Sequence, residues 1–181
     1  MLGDIDLDSL HALTFALRAA DKEEIFNLVD HDCPYQLGWE AFMLFRNKGR
    51  AKIGFHKGRP AAVIALTESR PSVWEISMFG TDELKHVAFE CMRWARINIA
   101  ELAGPPHNGR RLQCDSRVGH DEAHKFLLAL GARREGEPML AYGKDGSAYQ
   151  RFVWVFGTDG VITDGQYIGV ERRDMPALAG A

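Results

Sequence analysis

The sequence predicts an α+β protein with an open, mixed sheet covered by helices, and three observations support this. Two short apolar runs flank a hairpin signature at residues 56–60. Residues 84–102 keep the three-and-four spacing of a helix with one buried face. Strands and helices also interleave along the chain, an order typical of a sheet with helices packed on it.

The N-terminal third is predicted to hold one strand and two helices. Residues 1–10 are acidic and weakly patterned, which favours a short arm, and residues 11–17 are interpreted as a strand. Asp21 and Glu24 have the spacing of a capping box and predict the start of a short helix. Pro34 suits the first turn of a second helix, which is expected to reach about residue 47.

The middle of the chain predicts the centre of the sheet. Apolar runs at 51–55 and 61–66 are expected to form a hairpin, followed by a strand at 73–79. The long helix at 84–102 ends at a Gly-Pro-Pro sequence, and residues 111–115 predict the next strand.

The C-terminal part predicts a helix, two strands and an extension. A helix is expected at 121–130, and strands are expected at 138–142 and 148–156. Two further turn signals favour one extra hairpin, and residues 172–181 resemble a loose tail. The predicted organisation is therefore an arm at 1–10, a domain at 11–156, and a hairpin with a tail at 157–181.

Composition excludes several classes of protein. Hydrophobic residues make up 46% of the 181 residues, which is too many for a largely disordered chain. A formal charge of -3 argues against a nucleic-acid partner and against docking on an anionic membrane. Three widely spaced cysteines (Cys33, Cys91 and Cys114) and an acidic start without a secretory signal favour a reducing, cytoplasmic location.

One segment resembles the GNAT superfamily of N-acetyltransferases. The penultimate helix of that family often reads Asn-x-x-Ala-x-x-Leu-Tyr-x-x-x-Gly-Phe. At those positions this sequence has His120, Ala123, Phe126, Leu127, Gly131 and Ala132. Residues 17–21 also resemble the family's opening strand followed by Arg-x-x-x-Asp, although Arg18 and Asp21 are one residue closer together. The resemblance covers roughly residues 13–156 and implies acyl transfer from acetyl-CoA to an amine.

A narrower resemblance comes from residues 17–25 taken together with Trp74 and residues 79–81. This combination is similar to acetyltransferase-like proteins of tailed bacteriophages, including a small internal virion protein of podoviruses. It implies a virion component, with self-association or partner binding through the C-terminal extension.

The resemblance places the acetyl-CoA site between the fourth strand and the long helix. Residues 79–83 form that link here, with one glycine and no arginine, unlike the usual pyrophosphate loop. The implied cofactor contacts are Met78, Phe79, Gly80, Thr81, Asp82, Lys85 and His120. A competing interpretation is a self-capped helix, in which Thr81 caps while Asp82 and Glu83 satisfy the helix dipole and repel a pyrophosphate.

Two carboxylates are candidates for the catalytic base that acyl transfer needs. Glu75 is the first, because family members often hold an acid on this strand, and Asp115 at the end of the next strand is the second. The alternative for Glu75 is a solvent-facing position. The tyrosine that often serves the family as general acid is replaced by Leu127. The spacing does not place the phenol of Tyr142 or of Tyr149 at that site.

Other constellations favour structural roles. His120, His124 and Cys114 lack the pattern of a zinc site, so no metal is predicted there. Two roles are open for Cys114: a thiol paired with His120 as its base, or a small residue in the core of a strand. The four tryptophans are interpreted as core anchors: Trp39, Trp74, Trp94 and Trp154.

Three functions therefore remain open: an N-acetyltransferase, a GNAT-fold structural or virion protein without catalysis, and a small-molecule binder that uses the cleft between the fourth and fifth strands.

Overall fold

A computed structural model describes residues 1–157 with their side chains, and it describes the backbone of two further strands at 160–163 and 166–168. One sheet runs through the molecule in the order β1-β2-β3-β4-β5-β7-β8-β9, with β6 paired to β7. Its strands are β1 (Leu2–Gly3), β2 (Gly49–His56), β3 (Arg59–Arg70), β4 (Val73–Gly80), β5 (Arg111–Arg117), β6 (Arg133–Met139), β7 (Tyr149–Gly157), β8 (Gly160–Thr163) and β9 (Gln166–Ile168).

Helices cover both faces of the sheet. They are α1 (Leu7–Phe15), α2 (Ala19–Phe26), α3 (Pro34–Lys48), α4 (Ala88–Leu102) and α5 (Asp121–Ala129), with a 3-10 helix at Asp82–His86. Helices α1 and α3 pack on one face, around a core that contains Leu13, Phe45 and Phe79. Helices α4 and α5 pack on the other, around Ile99 and Trp154. The mixed α+β fold with helices on the sheet agrees with the prediction.

The predicted strand at residues 11–17 is wrong, because this segment is helical. Helix α1 begins earlier, where the carboxylate of Asp6 accepts a hydrogen bond from the Ser9 amide at 2.8 Å. Leu10 and Leu13 then lie on one turn and are fully buried against the sheet. Local helix spacing and the Asp6 cap outweigh the short apolar run that favoured a strand. The predicted arm at 1–10 thus contains β1 and the first turn of this helix.

Two smaller predictions are corrected. Arg18, not Asp21, is the N-cap residue of α2, and it makes no side-chain capping bond. Asp21 lies in the first turn of α2, and its side chain binds Arg18 and the Gly80 amide, as described below. The strand expected at 138–142 is β6 at Arg133–Met139, which pairs with β7 across a register shift between Glu135 and Met139.

The remaining elements follow the sequence closely. The hairpin of β2 and β3, strands β4 and β5 and helices α3 and α5 all lie where the patterns predict them. The long helix expected at 84–102 begins later, at Ala88, because Asp82–His86 form a separate 3-10 helix that ends before it. Strands β8 and β9 extend the sheet beyond β7 in antiparallel pairing, which agrees with the extra hairpin. The turns of that hairpin and the predicted tail at 172–181 lie outside the described residues. In the described part of the chain, no helix has the length and apolarity that a membrane crossing requires.

Candidate functional site

Strands β4 and β5 form a fork in the middle of the sheet. They run parallel and pair only at Val73–Arg111, Trp74–Leu112 and Glu75–Gln113. Beyond Glu75 the two strands separate, although β4 continues to Gly80 and β5 continues to Arg117. The separation leaves the polar backbone edge of β4 facing a gap instead of a neighbouring strand.

A cavity of about 1030 Å³ occupies this gap. Its walls come from both faces of the sheet, since α2 and α3 contribute on one side and α4 and α5 on the other. The members that matter for the site are Met78, Asp82, Lys85, Ala123, Phe126 and Leu127. The ring of Phe79 packs against Phe45, with centroids 6.5 Å apart, and does not fill the gap. Trp74 is buried in the core on the opposite face.

The end of the fork at Gly80 is closed by the protein itself. The carbonyl of Gly80 accepts a hydrogen bond from the Arg18 amide at 3.0 Å. The amide of Gly80 donates to the Asp21 carboxylate at 2.7 Å, in a buried contact. Both backbone polar groups of Gly80 are therefore satisfied by the start of α2.

Two residues earlier, the same edge of β4 is open. The amide of Thr81 points to β3, where it donates to Ala61, and the amide of Gly80 points away from β3. Because amides alternate between the two edges of a strand, the amide of Met78 faces the same way as that of Gly80. Met78 lies three residues beyond the last position that β5 pairs, so its amide faces the cavity.

The link after β4 is a self-capped helix start. The Thr81 hydroxyl accepts a hydrogen bond from the Glu83 amide at 3.2 Å, and the amide of Leu84 donates to the Thr81 carbonyl. Of the amides that could cradle a phosphate, those of Gly80, Thr81, Glu83 and Leu84 are thus already bound. Asp82 and Lys85 line the cavity with side chains of opposite charge.

A charged network covers the closed end. Arg18 donates to Asp21 through Nε at 2.8 Å and to Glu122 through a terminal nitrogen at 2.8 Å. His120 lies between Glu24 and Asp21, with Nδ1 2.6 Å from Glu24 Oε2 and Nε2 3.6 Å from Asp21 Oδ1. This network links α2 to the loop before α5 across the fork.

Two groups of this network have shifted pKa values. Burial raises the pKa of the Asp21 carboxyl, and the opposing effects of Arg18 and of the Gly80 amide are smaller. The hydrogen bond with Glu24 raises the pKa of His120 and outweighs the effect of burial. The side chain of Asp21 is only 3% exposed, and that of His120 is 9% exposed.

A second cavity, of about 700 Å³, opens beside the fork and shares Ile76, Ser77 and Asp115 with the first. Glu75 lines it and is exposed, with Ser77 on the same side of β4. Both oxygens of Asp115 are bound by Arg151, at 2.7 and 2.8 Å. Asp115 is therefore held in an ion pair with Arg151. The carboxylate of Glu75, in contrast, faces the second cavity.

The tyrosines and cysteine near the fork have structural partners. The Tyr142 hydroxyl donates to Asp115 at 2.9 Å, and burial raises the pKa of this phenol. The Tyr149 hydroxyl donates to the Glu24 carbonyl at 2.8 Å. Burial raises the pKa of Cys114 far above its ordinary value, which keeps the thiol protonated and makes it a poor nucleophile.

The structure groups the sequence-predicted residues in two places. Met78, Phe79, Asp82, Lys85 and His120 line the first cavity, and Glu75 lines only the second. Asp115 lines both. Gly80 and Thr81 lie beyond the open part, with their amides bound. Trp74 and Trp154 are buried as expected, but Trp39 is exposed on the outer side of α3, so its assignment as a core anchor is wrong.

Sequence reasoning missed the network that closes the Gly80 end. The capping-box spacing assigns Asp21 to a helix start, Arg18 enters only through the family resemblance, and Glu122 has no predicted role. The available signal was the Arg-x-x-Asp spacing, which places two charges on one side of a helix next to a strand. Only the fold shows that this side faces β4.

Several solved structures with a similar fold are named as acetyltransferases. A ribosomal-protein-alanine N-acetyltransferase from Brucella melitensis has a TM-score of 0.64 at 10% identity, covering 86% of this chain and 99% of that one. A putative acetyltransferase from Acinetobacter baylyi has a TM-score of 0.66 at 12% identity, covering 86% and 92%.

A third structure holds a ligand. RimL, a ribosomal alpha-N-protein acetyltransferase in complex with coenzyme A, has a TM-score of 0.60 at 13% identity, covering 87% of this chain and 94% of that one. No protein-family model and no curated protein matches the sequence. The chain therefore has the fold of the GNAT acetyltransferases.

Proposed function

We propose that this protein transfers an acetyl group from acetyl-CoA to an amine. The observation that carries the proposal is the fork between β4 and β5, which opens after Glu75 into a cavity walled from both faces of the sheet. A thioester can enter such a gap from one face while an amine reaches it from the other. The Met78 amide lies on the edge where a donor to the thioester carbonyl oxygen is needed.

The fit to acetyl-CoA differs between its two ends. The apolar wall of Ala123, Phe126 and Leu127 and the open edge of β4 suit the acyl and pantetheine end. The bound amides of Gly80, Thr81, Glu83 and Leu84 leave Lys85 as the main group for the diphosphate end. We therefore assign recognition chiefly to the pantetheine end.

In the reaction, the amine nitrogen attacks the thioester carbonyl carbon, a C–N bond forms and the C–S bond breaks. The amine loses one proton and the leaving sulfur gains one. Glu75 is the proton acceptor in this proposal, directly or through one water, because its carboxylate is exposed to the second cavity. Asp115 positions Arg151 and Tyr142 at the wall of the same cavity.

Calorimetry with acetyl-CoA, followed by a free-thiol assay with a panel of amines, tests the proposal. The panel holds peptides with free N-termini, free lysine and a linear polyamine. We expect saturable binding and amine-dependent thiol release with at least one amine class. Absence of heat and of any thermal shift at about millimolar acetyl-CoA contradicts the proposal.

A second candidate is a structural or partner-binding protein that keeps the fold without catalysis, as in a virion component. The satisfied amides around Gly80 favour it, because they remove the usual anion-binding groups. Deleting residues 157–181 is then expected to abolish partner binding or assembly while the remaining domain still folds. Unchanged assembly after this deletion argues against the candidate.

A further inference from the structure

Three side chains of types that bind metals meet near the surface, outside the lining of both cavities. His56 is the last residue of β2, and Glu83 and His86 lie on the 3-10 helix that follows β4. Their donor atoms all lie within 4.8 Å of one another. None of the three lines either cavity described above. They therefore form a separate cluster, contributed by two elements that are distant in sequence.

The spacing of the donor atoms suits a small metal ion. Glu83 Oε2 lies 3.6 Å from His56 Nε2 and 3.4 Å from His86 Nε2. A tetrahedral ion with ligand bonds of about 2.1 Å places its ligand atoms about 3.4 Å apart. Two of the three distances that such a site needs are therefore already present.

The third distance requires a small rearrangement. The His56 and His86 rings are stacked, with centroids 4.1 Å apart and planes 12° from parallel. The nitrogen lone pairs of stacked rings run side by side, so one ring must turn for both nitrogens to point at the same ion. The side chain of His86 is 43% exposed and has room to turn, whereas that of His56 is 24% exposed.

We propose that His56, Glu83 and His86 bind one zinc-like transition-metal ion. Two imidazole nitrogens and one carboxylate oxygen form a donor set that Zn²⁺ uses, with a fourth position left for water. Mg²⁺ prefers oxygen ligands and does not fit this set. The bound ion joins the end of β2 to the segment after β4, so it stabilises the folded state by mass action.

Calorimetric titration with Zn²⁺ tests the site, and Cys33→Ser serves as the parent protein. This replacement is needed because Cys33 is an exposed free cysteine two residues from His31, whose Nδ1 accepts a hydrogen bond from the Cys33 backbone amide at 3.2 Å. A thiolate and an imidazole so close in the chain are a competing zinc-binding pair. We expect one Zn²⁺ per chain, a rise in Tm that EDTA reverses, no heat with Mg²⁺, and a tetrahedral absorption spectrum with Co²⁺.

Single variants locate the ion. His56→Gln, Glu83→Gln and His86→Gln are each expected to weaken zinc binding by about tenfold or more without lowering the Tm of the metal-free protein. Glu137→Gln, at an exposed acid on β6, serves as the matched control and retains parental binding. Parental affinity in all three variants, or no stoichiometric binding at about millimolar Zn²⁺, overturns the proposal.

Discussion

Gly80 and Met78 lie on the same edge of β4, two residues apart, and their backbones meet opposite surroundings. At Gly80 the carbonyl and the amide are both bound by the first turn of α2, through Arg18 and Asp21. At Met78 the amide faces a cavity, because β5 has already diverged. The two positions therefore differ in their neighbours and not in their backbone geometry. Helix α2 supplies hydrogen-bond partners at Gly80, and the divergence of β5 leaves the Met78 amide facing the cavity, where it is available to a ligand.

Filling the open region has the largest expected effect. Ala123 lines the cavity from α5, and Ala123→Trp places an indole in the space proposed for the acyl donor. We expect acetyl-CoA affinity to fall by about 100-fold or more while the fold is retained. Calorimetry measures the affinity and circular dichroism checks the fold. Ala129→Trp, at an exposed position of the same helix, is the control and retains binding. Unchanged affinity in Ala123→Trp places the ligand elsewhere.

Removing the proposed base has the next largest effect. Glu75→Gln keeps the size of the side chain but cannot accept a proton, so kcat is expected to fall by about 100-fold. Acetyl-CoA affinity stays the same, because Glu75 lines only the second cavity. Steady-state rates at saturating acetyl-CoA measure the change, with Glu137→Gln as the matched control. Full activity in Glu75→Gln excludes this role.

Disturbing the closed region is expected to affect stability. In Asp21→Asn one amide oxygen must replace two carboxylate oxygens, which now serve Arg18 and Gly80 separately. The other donor then faces the side-chain NH2 group, which cannot accept a hydrogen bond. This loss is expected to lower the free energy of unfolding by about 1–3 kcal/mol. Urea unfolding measures this, with Asp8→Asn at an exposed helix start as the control. A stability loss no larger than that of the control contradicts the account of the closed end.

The smallest effect is a pH dependence from His120. Its pKa is raised above the ordinary 6.5 in the folded protein, so the stabilisation is complete below about pH 6.5 and is lost as the pH rises through the folded pKa. His124 has a lowered pKa and acts only below that range. We expect the free energy of unfolding to fall above about pH 6.5 in the parent and to fall less in His120→Gln. Parallel pH profiles of the two proteins contradict this assignment.

The sequence predicted most elements of the sheet and helices, because their apolar periods are strong. It failed at α1, where a short apolar run with the Asp6 cap just before it was interpreted as a strand. Of the residues that line the cavity at the fork, it named a minority, such as Met78, Asp82 and Lys85, since strand ends and helix starts are visible in the pattern. It could not show that Asp21 reaches Gly80, 59 positions away, because such contacts depend on how α2 packs against β4.

The cluster of His56, Glu83 and His86 shows the same limit. Its members come from β2 and from the 3-10 helix, which are separated in the sequence by β3 and β4, and no spacing motif joins them. The sequence drew attention instead to His120 and His124, which are four residues apart at the start of α5. Antiparallel pairing of β2, β3 and β4 brings its members to the same end of the sheet.

The claim that the open edge at Met78, and not the closed end at Gly80, recognises the acyl donor is tested most directly by comparing two ligands. Acetyl-CoA carries the nucleotide diphosphate, and acetyl-pantetheine lacks it. Calorimetry on the same protein is predicted to give affinities within about tenfold of each other. Saturable binding of acetyl-CoA with no detectable binding of acetyl-pantetheine would contradict the claim, because recognition would then depend on the diphosphate end.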